Sequence, residues 1–314
     1  MNRRDMLIRT TSAAAALGLL GFPLGWADDK DAPKRKLLFF TRSAGFEHSV
    51  VKRKSADELS YAEKIMTEWG AKHNFDVTCT KDGSIFTAEK LAPFDAFMFY
   101  TTGDLTGGDP VKPGKDFSLP MSKEGKQAFL DAIKSGKGFI GSHCGSDTFH
   151  SKKNNGQPDT LDPYIEMLGG EFIVHGAQQD SKMTCVDAEF PGMAEAKDGF
   201  KMNEEWYALK NHAKDLHVLL VQETAGMKGN MYMRPPFPAT WARQHDKGRV
   251  FFTSMGHRED VWTNPVFQSV LLGGLSWAFG NVKATVTPNI EKVTPEYATL
   301  GQPDAPKPPK APAK

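Results

Sequence analysis

The sequence predicts an α/β domain built on a mostly parallel sheet, and three observations carry that expectation. Short apolar runs at 34–41, 94–100 and 138–142 have the continuous hydrophobicity of strands covered on both faces. Between them lie segments with apolar residues at helical spacing, such as Leu59, Ala62, Ile65, Met66 and Trp69. Strand and helix alternate up to about Gly145, which implies parallel β-α-β units with right-handed crossovers.

The first strand, KRKLLFFT at 34–41, places basic residues before a wholly apolar run. Ser55 and Glu58 have the spacing of a capping box and open the first helix. Alternation at 75–79 reads as a second strand, Thr87 caps a short helix, and FDAFMFY at 94–100 is a third, buried strand. Ser122 starts an amphipathic helix through Phe129, Leu130 and Ile133 that Gly136 stops, and 138–142 forms the fourth strand. Further strands are expected at 172–174, 183–186, 218–222, 239–243 and 250–253. Asn264 and Pro265 then begin a helix reaching Phe279, with Val266, Val270, Leu271, Leu275 and Ala278 inward. Apolar content falls from Thr287 onward, so 284–314 is expected as an extended Pro/Lys/Ala-rich tail. No internal repeat is evident.

The amino terminus reads differently. Arg3 and Arg4 precede a weakly apolar run at 11–24, and Gly25-Trp26-Ala27 supplies small residues at the −3 and −1 places. These are the parts of an export signal, and the paired arginines favour the twin-arginine route. The run is too short and too rich in Ala and Gly to remain as a membrane span. The expected organisation is a signal at 1–27, a linker at 28–34, one domain at 35–283 and the tail, in a periplasmic or extracytoplasmic protein. Setting the signal aside removes three arginines and one aspartate and takes the formal net charge from +1 to −1. Such a balance attracts neither nucleic acid nor an anionic membrane. Cys79, Cys144 and Cys185 show no Cys-x-x-Cys spacing, which argues against a disulfide scaffold or a thiolate zinc site. A Cys79–Cys185 bridge is the pairing that an oxidising compartment would permit.

Ligands of open parallel sheets bind beyond the carboxyl ends of the strands. The first strand is followed by Arg42-Ser43-Ala44-Gly45-Phe46-Glu47-His48, the third by Thr101-Thr102-Gly103-Asp104 and the fourth by His143-Cys144-Gly145-Ser146-Asp147. Topology puts all three loops on one rim. Gly141-Ser142-His143-Cys144-Gly145 has the small-x-nucleophile-x-small form of a nucleophile elbow, with His143 at the apex and Cys144 one place late. A tight turn with a hydrogen-bonded histidine is the structural alternative. Downstream candidates are His175, Glu204, Glu205 and His257. His73, His212, His217 and His245 sit in unpatterned polar contexts and are expected at the surface, and His150 is unassigned.

The segments 38–48 (LFFTRSAGFEH), 137–148 (KGFIGSHCGSDT), 168–175 (LGGEFIVH), 200–207 (FKMNEEWY) and 248–262 (GRVFFTSMGHREDVW), followed by 264–280, resemble the ThuA-like (trehalose utilisation) family in order and cover nearly all of 35–280. The resemblance implies a class I glutamine amidotransferase-like fold, a flavodoxin-like doubly wound sheet. It also places His143 where those amidotransferases carry cysteine, so glutamine amidotransfer is not expected. Glu205 is held more firmly than Glu204, because Asn203-Glu204-Glu205 departs from the acidic pair often found before the tyrosine.

The resemblance further implies breakdown of disaccharides or glycosides, including 3-keto derivatives, with a small-molecule sugar as partner and no nucleotide cofactor. His143, His175, His257 and Glu205 have the chemistry to hold zinc or a similar divalent ion. Without metal, His143 and His257 can act as acid and base, oriented by Glu205. His48, Thr102 and Asp104 are candidate substrate contacts, and Phe46, Trp206, Tyr207 and Trp262 could stack on sugar faces. A sugar-processing lyase, hydrolase or isomerase is the preferred reading. A non-catalytic carbohydrate-binding or accessory protein and a cysteine hydrolase using Cys144 with His257 are the alternatives.

Overall fold

Continuous apolar strands form the centre because only a position covered on both faces removes every side chain from water. The computed structural model describes residues 34–107, 118–154 and 157–301. The expected export segment at 1–27 lies outside the described residues.

β1 (Arg35–Phe40) is followed by α1 (Tyr61–Lys72), β2 (Phe75–Thr80), α2 (Ala88–Leu91), β3 (Ala96–Phe99), α3 (Lys123–Lys134) and β4 (Gly138–Ser142). Next come β5 (Lys152–Asn154), β6 (Gln157–Thr160), α4 (Pro163–Leu168), β7 (Glu171–His175), β8 (Gln179–Cys185), β9 (Phe200–Glu204) and β10 (Tyr207–Lys210). The chain then forms β11 (His217–Gln222), β12 (Phe237–His245), β13 (Gly248–Thr253), α5 (Glu259–Trp262), α6 (Pro265–Phe279) and α7 (Ile290–Val293).

The main sheet has the order β2-β1-β3-β4-β13-β12-β11-β8-β9. The first five strands pair in parallel, in the doubly wound order 2-1-3-4-5. The remaining four extend the sheet antiparallel. The α/β class therefore holds, with an antiparallel wing on a parallel core. A separate ribbon pairs β10 with β7, setting Tyr207 opposite His175.

Several local expectations need correction. α1 starts at Tyr61, and its capping box is Ser60 with Glu63, not Ser55 with Glu58. The later box wins because it also satisfies a buried carboxylate: Glu63 accepts from Ser60 N, from the Thr41 hydroxyl at 2.7 Å and from the Arg53 guanidinium at 2.8 and 2.9 Å. The Cys79–Cys185 bridge is absent. Both thiols are free, because Cys79 lies on edge strand β2 and Cys185 on β8, in the antiparallel wing. His73, His212 and His217 are buried, and His245 is half-buried. His217 bonds Thr287 O and Asp187 Oδ2, each at 2.8 Å.

That contact also corrects the beginning of the expected tail. Asn289 holds Val218 through its side chain, donating to the carbonyl and accepting from N–H, while Ile290 and Thr294 are buried. α7 thus packs on β11 and Tyr297 O accepts from Arg234, so the folded domain runs beyond 283, and 302–314 lie outside the described residues. Among the described residues, no helix is long and apolar enough to cross a membrane.

Candidate functional site

β1, β4 and β13 end at the same rim because they run in parallel near the middle of the sheet, and each is followed by a histidine. His143 comes directly after β4, at φ +45°, and the chain turns at once into a short 3₁₀ segment. A non-glycine residue in this region costs on the order of 1–3 kcal/mol and persists only where its surroundings enforce it. Here Ser142 Oγ donates to Met255 O at 2.9 Å, Ser146 Oγ donates to His143 O at 3.1 Å, and the His143 ring is 3.0 Å from Ser254 O through Nδ1. The loops after β4 and β13 are therefore stitched together.

The Ser254 contact has a chemical result. A carbonyl can only accept, so Nδ1 carries a hydrogen toward Ser254 O and Nε2 is the ring atom turned to the cluster. Nε2 lies 3.3 Å from His257 Nδ1 and 3.6 Å from Glu205 Oε2, and His257 Nδ1 lies 3.1 Å from that same oxygen. The His48 ring centroid is 5.0 Å from that of His143 and 5.1 Å from that of His257. One ligand atom from each of His48, His143, Glu205 and His257 falls within 4.8 Å of the others.

The surrounding charges favour this set. Burial pushes the Glu205 carboxyl up, but His143 and His257 outweigh it and hold the group well below the usual carboxylate range. Burial lowers His257, and Glu205 more than compensates, so that imidazole sits above its ordinary value. Burial, assisted by His143 and His257, drives His48 down to about 2, so its ring is neutral. His48 Nδ1 is buried without a hydrogen-bond partner among the described residues, while Nε2 is 3.4 Å from the Tyr207 hydroxyl.

Glu204 has a supporting place. Its buried carboxylate accepts from Gly256 N at 2.6 Å and His257 N at 2.7 Å, and its second oxygen accepts from Glu205 N at 3.1 Å. It thereby fixes both ends of the cluster. Gly256 has φ +124°, and a Cβ there would lie 2.7 Å from Ser142 Oγ, so the loop carrying His257 depends on glycine.

Not every expected residue joins the group. His175 contacts Glu205 Oε1 at 3.2 Å and Gly176 O at 2.9 Å, but it is half-exposed and outside the four-residue set; His48 stands in its place. The β7–β10 ribbon holds His175 at the edge, opposite Tyr207. Sugar stacking on Trp206, Tyr207 and Trp262 is also corrected, since all three are 2 % exposed or less. Trp206 Nε1 donates to Gln179 O, Trp262 Nε1 donates to Gly256 O, and the Tyr207 ring packs 4.1 Å from that of His143. Phe46 alone of the four is open, at 69 %.

Thr102 and Asp104 act locally. The Thr102 hydroxyl donates to Phe46 O and accepts from Gly45 N, fixing the loop that leads to His48. Asp104 accepts from the Thr106 N–H and hydroxyl. Cys144 is fully buried, and burial pushes its thiol well up, so it lacks the thiolate that a hydrolase needs. His150, which the sequence leaves unassigned, bridges Asp147 at 2.7 Å and Glu171 at 3.3 Å.

No curated protein matches this chain. Among solved structures, a ThuA-like protein from Bacteroides uniformis is 21 % identical, with a TM-score of 0.58 over 82 % of this chain and 95 % of that one. A ThuA-like protein from Parabacteroides merdae is 16 % identical, with a TM-score of 0.51 over 86 % and 97 % of the two chains. Both likenesses concern the fold. The family model described as ThuA, trehalose utilisation, matches residues 36–278, from β1 to the end of α6. The chain belongs to the ThuA family.

Proposed function

We propose that this protein is an exported carbohydrate-catabolism enzyme whose His48–His143–His257–Glu205 group binds one divalent ion, zinc or a similar metal, and acts on disaccharides or glycosides, including their 3-keto derivatives. The observation that carries the reading is the convergence of three imidazoles and one carboxylate, from four separate loops, within 4.8 Å. The donors suit such an ion: His143, held at Nδ1 by Ser254 O, turns Nε2 to the group, His48 is neutral with a buried Nδ1 that has no hydrogen-bond partner among the described residues, and Glu205 stays ionised. The family description, trehalose utilisation, supports a carbohydrate-related role.

A bound divalent ion would polarise a substrate carbonyl and stabilise negative charge on its oxygen. The chain's own residues would supply orientation and proton transfer. His143 keeps one tautomer because Ser254 O holds Nδ1–H. With His257 held as a ligand, His175, the imidazole outside the four, would give or take the proton α to the carbonyl. His175, next to Glu205 and half-exposed, lies where a substrate can reach it. Phe46 offers an open aromatic face beside His48, with ring centroids 5.0 Å apart.

A metal-free reading has its own support. The 3.1 Å His257–Glu205 ion pair and the 3.3 Å approach of His143 Nε2 to His257 form an acid–base relay as they stand. Zinc titration of the purified protein, with turnover of 3-keto-trehalose measured before and after chelation, separates the two. The first reading expects one zinc per chain and loss of turnover on chelation. His143→Ala and His257→Ala are expected to lower turnover by roughly 100-fold or more while the fold survives. Full turnover in His143→Ala contradicts both mechanisms, and sugar binding without turnover in the wild type identifies a carbohydrate-binding protein.

A further inference from the structure

A cavity of about 510 Å³ opens beyond the carboxyl ends of β1 and β2 and shares no residue with the imidazole group. Glu47 and Ser49 line it, whereas His48 between them turns into the imidazole cluster. Its charge is one-sided. Arg42, Lys52, Arg53, Lys54 and Lys81 contribute five cationic side chains, Glu47 is the sole carboxylate of the lining, and four serines add hydroxyls. Arg53 pairs directly with Glu63 at 2.8 Å and Lys81 with Glu47 at 3.2 Å, while Asp82 acts on Arg42 and Glu58 on Lys54 at longer range.

Arg42 is the distinguishing feature. It is 3 % exposed, and Nη1 donates to Ser118 O at 3.0 Å and Ser118 Oγ at 2.7 Å. Its Nε is buried without a hydrogen-bond partner among the described residues. A guanidinium taken out of water with its Nε–H unused among the described residues, at the wall of a cavity carrying further cations, is arranged to meet an oxyanion. Lys52 and Lys54 stand exposed at the mouth, where they would draw an anion in.

We propose that this cavity is a binding site for a small dianionic oxyanion, namely a phosphoryl group, either free or carried as a phosphate monoester. Arg42 would complete its hydrogen bonding on the phosphoryl oxygens, and Lys52 and Lys54 would balance the charge. The occupant would sit against the loop that carries His48, yet its binding requires nothing of the imidazoles or of any metal.

Calorimetric titration of the full chain with inorganic phosphate and with glucose 6-phosphate, using trehalose as the neutral control, tests this site. Saturable binding of both anions at one site per chain is expected, with none of trehalose there. Lys52→Gln/Lys54→Gln, which changes only exposed side chains, is expected to weaken phosphate binding by roughly tenfold, and Arg42→Gln by at least as much. Tighter binding of glucose 6-phosphate than of phosphate identifies the monoester as the natural occupant, and equal affinity identifies the free anion. Absence of binding to either anion, or binding unchanged in the lysine double variant, overturns the proposal. Should Arg42→Gln fail to fold, the lysine variant decides alone. His143→Ala is expected to leave phosphate binding unaltered, which keeps this outcome separate from that of the imidazole site.

Discussion

Glu204 and Glu205 are adjacent in sequence and differ in what they face. Glu205 meets three imidazoles, and Glu204 takes three backbone N–H groups, those of Glu205, Gly256 and His257. A buried donor left without an acceptor costs about 1–3 kcal/mol. Glu204→Ala is therefore expected to destabilise the fold by roughly 2 kcal/mol or more in urea unfolding, and also to weaken zinc binding by loosening the His257 loop. Glu205→Gln is expected to reduce zinc affinity without a comparable loss of stability. Equal effects of the two variants on both measurements would contradict the division of roles. Sequence pattern located the pair and favoured Glu205, but it could not show that Glu204 clamps a loop more than fifty residues away. His48 illustrates a similar limit: its rim position was legible after β1, whereas its place in the group depends on how the 43–48 loop folds over Thr102.

Among the elements, the parallel strands were legible because full burial leaves uninterrupted apolar runs such as Leu37–Phe40. β9, β10 and the β5–β6 hairpin were not, since FKMNE, YALK and QPDT carry little hydrophobic pattern of their own. Yet β9 ends at Glu204, and β10 brings Tyr207 against His143 and His175. Much of the site's floor thus comes from elements that pairing partners, not local sequence, define. The start of α1 shows the same competition between local signals. Two serine–glutamate boxes precede the helix, and only Ser60–Glu63 also joins the Thr41–Arg53 network. Removing a helix cap typically costs about 1 kcal/mol. Ser60→Ala is expected to lose about that much stability, while Ser55→Ala, at an exposed position, should stay within roughly 0.5 kcal/mol of wild type. Urea unfolding of the two variants measures the difference, and the reverse order would contradict the observed cap.

For the molecule as a whole, the distribution of charge sets how stability depends on pH. His150 is raised from 6.5 to about 9 by its hydrogen bonds to Asp147 and Glu171, against the opposing effect of burial. A raised folded value stabilises below the unfolded one, so this contribution is complete below about pH 6.5 and is lost as pH climbs through 9. Burial would push Glu171 up, but its hydrogen bonds, His150 first, hold it down from 4.5 to about 2. Its contribution is present above pH 4.5 and is lost as pH falls toward 2. Thermal unfolding is expected to show a broad plateau with Tm declining on the alkaline side between pH 6.5 and 9. His150→Gln should flatten that alkaline decline, by a modest amount because the ring is half-exposed. An unchanged slope would remove His150 as its source.

The whole fold also bears on what can reach the site. Parallel strand ends deliver His48, His143 and His257, and the link between β9 and β10 supplies Glu205. The most direct measurement of this account is an anomalous difference map at the zinc edge, from crystals of the full chain grown with zinc. A single peak per chain is expected, bonded to His48, His143, His257 and Glu205 at about 2.0–2.2 Å. No peak among these four residues, or a peak ligated by His175 with His48 turned away, would contradict it.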